Sequence, residues 1–241
     1  MYPIFRTIRY PGVFQTISFY FFQNKPNKKL NLRLKGYKNN FTIRCGTSDP
    51  WVFDMNILRE EYKSFITKPP KTILDGGANI GGASRYWNKQ YPEASIIALE
   101  PDPENFEVLI ANTSEINKIT CVKGAIWSSN TKLSFENDKA WKYALQVIED
   151  EANGKIQAYS IPCIMEKFGW DFIDVLKLDV EGSEVEILSK NTEQWIDKIG
   201  TLILELHPDI DDRCARILFK AFSNRDFNLK WKGENLVLIF K

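Results

Sequence analysis

Four acids and one histidine stand at the ends of apolar segments. Asp75 follows a strand pattern over 72–74, Glu100 one over 95–99 and Asp179 one over 175–178, and Glu205 and His207 lie at the end of one over 201–205. If those segments are neighbours in a parallel sheet, ligands lie beyond their carboxyl ends, so all five side chains should face one crevice. His207 is the only histidine of the 241 residues. An imidazole beside carboxylates is suited to taking a proton from a hydroxyl, a poor nucleophile until that proton is drawn away.

The first of these strands runs into Asp75-Gly76-Gly77-Ala78-Asn79-Ile80-Gly81-Gly82, a glycine-rich turn that opens a helix. Such a turn lets the main chain approach a nucleotide cofactor closely. It contains no G-x-G-x-x-G, as an NAD site would, and Gly81-Gly82-Ala83-Ser84 supplies no Walker lysine for a triphosphate. Glu100, ending the next strand, is placed to accept both hydroxyls of a ribose. The pattern asks for a cofactor with a ribose and no phosphate.

The order of elements supports that placement. A hairpin is expected over 30–34 and 41–44, then a helix from Asp49-Pro50 through Phe53, Ile57, Leu58 and Tyr62, ended by Pro69-Pro70. From Lys71 strands alternate with helices: 72–74, helix 82–90, 95–99, helix 103–112, 119–123, and later 175–178, helix 183–190 and 201–205. That alternation predicts a parallel sheet covered on both faces. Segments 131–135 and 156–161 read as an inserted strand pair. After a helix over 213–222, segments 227–231 and 236–240 flank Gly233-Glu234-Asn235 as a closing hairpin. The expected organisation is an extension over 1–70 and a catalytic domain over 71–241.

The run Ile173-Asp174-Val175-Leu176-Lys177-Leu178-Asp179-Val180-Glu181-Gly182-Ser183-Glu184, and then Leu202-Ile203-Leu204-Glu205-Leu206-His207-Pro208, resembles the FkbM family of S-adenosylmethionine-dependent methyltransferases. Arg44-Cys45-Gly46-Thr47-Ser48-Asp49 is similar to the segment that precedes the core in that family. The resemblance covers roughly residues 41–208. It implies a Rossmann-like class I methyltransferase fold, mostly parallel and seven-stranded, closed by a C-terminal antiparallel hairpin, with an N-terminal α/β extension. It further implies that S-adenosylmethionine is held by Asp75, Gly76, Gly77, Ala78, Asn79, Gly81, Glu100, Pro101 and Asp179, with Gly124 and Ala125 passing the adenine.

For the acceptor, two arrangements fit these residues. In the first, His207 is a general base oriented by Glu205 or Asp179. In the second, Asp179, Glu205 and His207 hold Mg²⁺ or Mn²⁺ against the acceptor's oxygens. The metal-free base is preferred, because a hard cation collects more oxygen ligands than the sequence supplies. Asp179 also reads as a helix cap, and Glu181 and Glu184 as acids favoured in a first helical turn. The resemblance implies an oxygen acceptor, a sugar, glycan precursor or related small molecule. Trp127, Trp141, Lys142 and Tyr143 would suit stacking on a sugar face and equally suit core or surface.

Charge sets the start of the chain apart. Residues 1–48 hold nine bases and no acid, whereas the remainder carries 23 bases against 31 acids. Tyr2, Phe5, Tyr10, Phe14, Phe19, Tyr20, Phe21 and Phe22 precede the first lysine. The apolar stretch 13–22 is too short to span a bilayer, but basic and aromatic together suit an anionic membrane surface, reached through residues 1–29. The other reading packs these aromatics on the domain or on a second subunit. RNA methylation is the competing activity, and the acidic catalytic part speaks against nucleic acid; a non-catalytic scaffold is the third. Four scattered cysteines, Cys45, Cys121, Cys163 and Cys214, suggest neither zinc nor disulfides, so a reduced cytoplasmic setting is expected, at most peripheral to the inner membrane.

Overall fold

The computed structural model of the chain describes residues 11–135 and 147–241. Helix α1 spans Gly12–Phe22; strands β1, Lys29–Leu32, and β2, Phe41–Arg44, form the expected hairpin. Helix α2, Asp49–Phe53, passes into a π-helical turn over Asp54–Leu58 and stops short of Tyr62, where one helix had been expected to continue. Then come β3 (Thr72–Gly76), α3 (Gly82–Gln90), β4 (Ser95–Glu100), α4 (Pro103–Thr113) and β5 (Ile119–Lys123). Strands β6 (Ala125–Trp127), β7 (Lys132–Phe135), β8 (Val147–Glu149) and β9 (Ile156–Ser160) lead into α5 (Ile161–Phe168). The chain closes with β10 (Ile173–Leu178), α6 (Glu184–Ser189), β11 (Ile199–Glu205), α7 (Cys214–Ala221), β12 (Phe227–Lys232) and β13 (Asn235–Phe240).

The central sheet is seven-stranded in the order β12-β13-β11-β10-β3-β4-β5. Strands β5, β4, β3, β10 and β11 are mutually parallel, and β13 enters antiparallel to β11 with β12 beside it. This is the Rossmann-like class I methyltransferase arrangement. Its inner strands are apolar almost throughout because both faces are covered. Successive residues part to opposite sides: Ile73 and Ile96 pack with α3, α4 and the first hairpin, while Leu74 and Ile97 pack with α5, α6 and α7. Strands β7 and β9 pair antiparallel, as expected of the inserted pair, with β8 and β6 on the flanks.

The segment before β3 shares the first of these cores, which takes in Phe19, Leu32, Phe41, Phe53 and Phe65 together with Trp87 of α3. Polar contacts fix its position. Buried Arg85 donates to the carbonyls of Asn39 (2.7 Å) and Asn40 (3.1 Å) at the hairpin's turn and to that of Asn112. Asn112 of α4 accepts from Thr42 N–H (2.6 Å) and donates to the carbonyls of Thr42 and Ile80. Arg44 makes a two-pronged ion pair with fully buried Asp49, which turns Thr47 and Ser48 towards the sheet's carboxyl edge. Lys232, at the β12–β13 turn, donates to the carbonyls of Glu60 and Glu61 and holds that segment down from the other side.

Candidate active site

β3 and β10 are parallel neighbours whose connections leave in opposite directions, so a crevice opens above their carboxyl ends. Gly77 has φ +74°, and a Cβ there would stand 1.8 Å from the carbonyl oxygen of Asp179. Only glycine lets the two chain ends meet this closely. Asn79, itself at φ +50°, donates its N–H to Glu100 Oε2 (2.8 Å), while Asp102 N–H reaches Oε1 (2.9 Å). Burial pushes the Glu100 carboxyl up to about 7, against the opposing pull of those two N–H groups. Each oxygen keeps a lone pair, which suits a carboxylate waiting for a pair of hydroxyls.

Around Glu100 lies a cleft lined by Gly77, Asn79, Pro101, Asp102 and Asn105, and on its apolar side by Ala125, Ile126, Phe135, Val147 and Val180. A carboxylate with lone pairs to spare beside a set of apolar groups is a lining whose chemistry suits the ribose and flat heterocycle of S-adenosylmethionine. Of the residues expected to bind it, Gly77, Asn79, Glu100, Pro101, Ala125 and Asp179 line this cleft. The others do not. Asp75 is fully buried beneath it, accepting from Ser84 Oγ at 2.6 Å. Gly76 gives room to Ile126, whose Cδ1 would be 2.5 Å from an added Cβ. Gly81 caps α3 in the left-handed region against Leu109, and Gly124 leaves space for the carbonyl of Gln157. Ala78 faces the second cavity.

That second cavity, of about 550 Å³, shares Gly77, Asn79, Asp179 and Glu181 with the cleft. Its floor carries Lys177, Glu205 and His207, and its outer wall is Thr47, Ser48, Trp51, Val52, Asn56, Glu61 and Tyr62. The segment 44–49 thus serves the site by delivering Thr47 and Ser48. Trp51, 54% exposed, is the exposed aromatic of this cavity's wall, Tyr62 being buried. Trp127 is buried with Leu133, Ile156 and Ala158 and belongs to a core; Trp141, Lys142 and Tyr143 lie outside the described residues.

The structure brings Asp179, Glu205 and His207 together, but the histidine's closest partner is Glu184. His207 Nδ1 and Glu184 Oε1 are 2.8 Å apart, and Nε2 lies 3.4 Å from Glu181 and 3.8 Å from Glu205. Burial alone would lower the imidazole's pKa, but the hydrogen bond and charge of Glu184, with Glu181 and Asp179 beside it, outweigh that and raise it to about 9. Burial and the charge of Asp179 push Glu205 up to about 8, and the same two causes lift Glu181 to about 7. Below them Lys177, also not foreseen, sits 3.3 Å from Asp75 and 3.4 Å from Asp179 and donates to the carbonyl of Gly77 at 2.8 Å. Burial would discharge this ammonium; the two aspartates keep it charged.

One ligand atom each from Asp179, Glu205 and His207 lie within 4.8 Å of one another. With Glu184 behind Nδ1, the imidazole has the carboxylate support usual for a metal-binding histidine. Two carboxylates and one imidazole suit Mn²⁺ and, less closely, Mg²⁺.

The sequence profile of the methyltransferase FkbM domain matches residues 75–228. The chain is 26% identical over 208 residues to methyltransferase sdnD of Sordaria araneosa, covering 69% of this chain and 79% of that protein. It is 23% identical over 210 residues to the hexuronic acid methyltransferase AglP of Haloferax volcanii, covering 85% and 86%. To the 2-O-methyltransferase NoeI of Sinorhizobium fredii it is 21% identical over 154 residues, covering 56% and 63%. The chain belongs to the FkbM methyltransferase family. It is an S-adenosylmethionine-dependent methyltransferase.

Proposed function

We propose that this enzyme methylates a hydroxyl of a sugar, a glycan precursor or a related small molecule. The observation that carries the reading is the shared wall: the cavity with His207 and Glu205 opens onto the cofactor cleft at Asp179. Bound S-adenosylmethionine supplies a sulfonium methyl, which the acceptor oxygen takes as the sulfur–carbon bond breaks and its electron pair stays on sulfur. The protein aligns the two and receives the hydroxyl proton. Glu100 and the Gly77 turn fix the donor; Trp51 offers a sugar ring a stacking surface; Asp179 and Glu181 stand where donor and acceptor meet. His207 and Glu205 face the cavity with Nε2 and Oε1 3.8 Å apart, and once the two have lost a proton between them they take the acceptor's. Two relatives point the same way: one is named for a hexuronic acid, another for 2-O-methylation.

A second reading replaces proton transfer to the pair by a divalent cation on Asp179, Glu205 and His207, supported by the convergence of their ligand atoms. Such an ion would lower the pKa of a bound hydroxyl. Transfer of labelled methyl groups to glycan and lipid-linked extracts, compared with total RNA, tests the reading. Label on a sugar oxygen that His207→Ala abolishes while cofactor affinity persists supports it; label on RNA, or on nitrogen or carbon, overturns it. Persistence of activity in EDTA separates the base from the metal.

A further inference from the structure

Helix α1 is apolar on two sides. Thr16 and Phe19 face inward, Phe19 packing 5.5 Å from Phe53 of α2. Val13, Phe14, Ile17 and Phe21 are 55%, 86%, 61% and 64% exposed. At roughly 100° per residue these four fall on one outward face, so they form an exposed apolar ridge.

Cations stand at the C-terminal end of the ridge and along the helix's other flank. Lys25 stands over the ring of Phe21 at 4.4 Å and Lys28 over that of Phe22, Lys29 is exposed, and β1 brings up Arg33, whose N–H donates to Gln15 of α1. Residues 1–48 hold nine bases and no acid, and of these Arg44 is paired with Asp49 beyond the segment. A second copy of the chain seated on the same face would oppose like charge to like, as a two-fold interface pairs each patch with itself. A nucleic acid would neutralise the lysines but leave Val13 and Ile17 against phosphates. An anionic lipid surface meets both demands, with acyl chains for the apolar ridge and headgroups for the cations.

We propose that α1 and the basic segment after it dock this enzyme on an anionic membrane surface. Phe53, on which Phe19 rests, lies in the same short helix as Trp51 of the acceptor cavity. Docking there leaves the cavity one helix away from the lipid, where a lipid-anchored acceptor would be presented. The surface is independent of the chemistry proposed above and stands whether or not the acceptor is a sugar.

The test is co-sedimentation of the full-length protein with vesicles of phosphatidylcholine alone, or of equal parts phosphatidylcholine and phosphatidylglycerol, at low and high salt. Wild type should pellet with the anionic vesicles only, and high salt should release it. The Phe14→Asp/Phe21→Asp and Lys25→Glu/Lys28→Glu variants should each weaken binding by about tenfold or more. Calorimetry showing unchanged S-adenosylmethionine affinity confirms that the variants are folded. Wild type staying in the supernatant, or pelleting equally with neutral vesicles, overturns the proposal. So does a wild-type dimer without lipid binding that Phe14→Asp/Phe21→Asp converts to monomer, which would assign the ridge to a second copy.

Discussion

His207 Nδ1 lies 2.8 Å from Oε1 of Glu184, a carboxylate only 1% exposed at the start of α6. The pair joins the end of the fifth parallel strand to the helix after the fourth, and it leaves Nε2 as the imidazole nitrogen towards Glu181 and Glu205. Because His207 is the only histidine, its ring protons give one unambiguous signal in a nuclear magnetic resonance titration. Wild type should titrate at about 9. Glu184→Gln keeps a hydrogen-bonding side chain but removes the charge, so the midpoint should fall towards the ordinary 6.5. The alkaline rise in turnover should move to lower pH with it. A midpoint that does not move would show that Glu184 does not hold the proton there.

The same pair sets a stability window. The folded pKa is raised above the unfolded one, so its stabilisation is complete below about 6.5 and is lost as pH rises through about 9. Thermal melts of wild type and Glu184→Gln should therefore converge over that interval. Equal separation at all pH values would assign the difference to packing alone.

Lys177 is the register partner of Asp75 and the bridge between it and Asp179. Lys177→Met fills similar space but leaves Asp75, fully buried, without its cation. Breaking one side of a buried pair costs on the order of 3–5 kcal/mol, so chemical denaturation should show a loss of that size. Restoring neutrality with Asp75→Asn in the same chain should recover part of it. A loss below about 1 kcal/mol would mean that the ion pair is not what holds the crevice floor.

Most of the fold was legible because each parallel strand is a short apolar run bounded by glycine, proline or an acid. The register of elements around the glycine turn followed from that alone. What was misread has local causes. Strand β9 was expected to include Ile161, but Ser160 accepts from Cys163 N–H and Pro162 sits in the first turn, so the chain is already helical there. Strand β6 is three residues long, too short to show a period. Within the site, the crevice residues at the strand ends could be placed because topology dictates where ends go. Glu184 and Lys177 could not. A glutamate in a first helical turn and a lysine in a strand are ordinary surface residues in one dimension; the packing of β10 between β3 and β11 buries Lys177, and the chain after β11 brings His207 against Glu184. The outer wall from Thr47 to Tyr62 was likewise hidden, since nothing in that segment's pattern says that it folds over the sheet's edge.

The first two glycines of the turn, Gly76 and Gly77, should separate by phenotype. Gly77→Ala places a Cβ 1.8 Å from the backbone of Asp179 at φ +74°, so the cleft floor must part and S-adenosylmethionine affinity should fall at least tenfold in calorimetry, a loss of about 1.4 kcal/mol or more. At Gly76 the new methyl meets Ile126 and the carbonyl of Lys177 behind the cleft, so Gly76→Ala should lower the melting temperature with a smaller loss of affinity. The reverse ranking would mean that the cofactor lies over Gly76.

Glu100 makes the donor side sensitive to pH. Hydroxyls donate to a carboxylate better than to a protonated carboxyl, and burial holds this group's pKa at about 7. Affinity for S-adenosylmethionine should therefore be weak below that pH, rise through it and level off above. Binding should also draw the proton off, so calorimetry near neutral pH in buffers of different ionisation enthalpy should register proton release. Glu100→Gln keeps a carbonyl oxygen for one hydroxyl but cannot ionise, so it should bind more weakly above pH 7 and lose the slope. An unchanged pH slope in the variant would move the ribose away from Glu100.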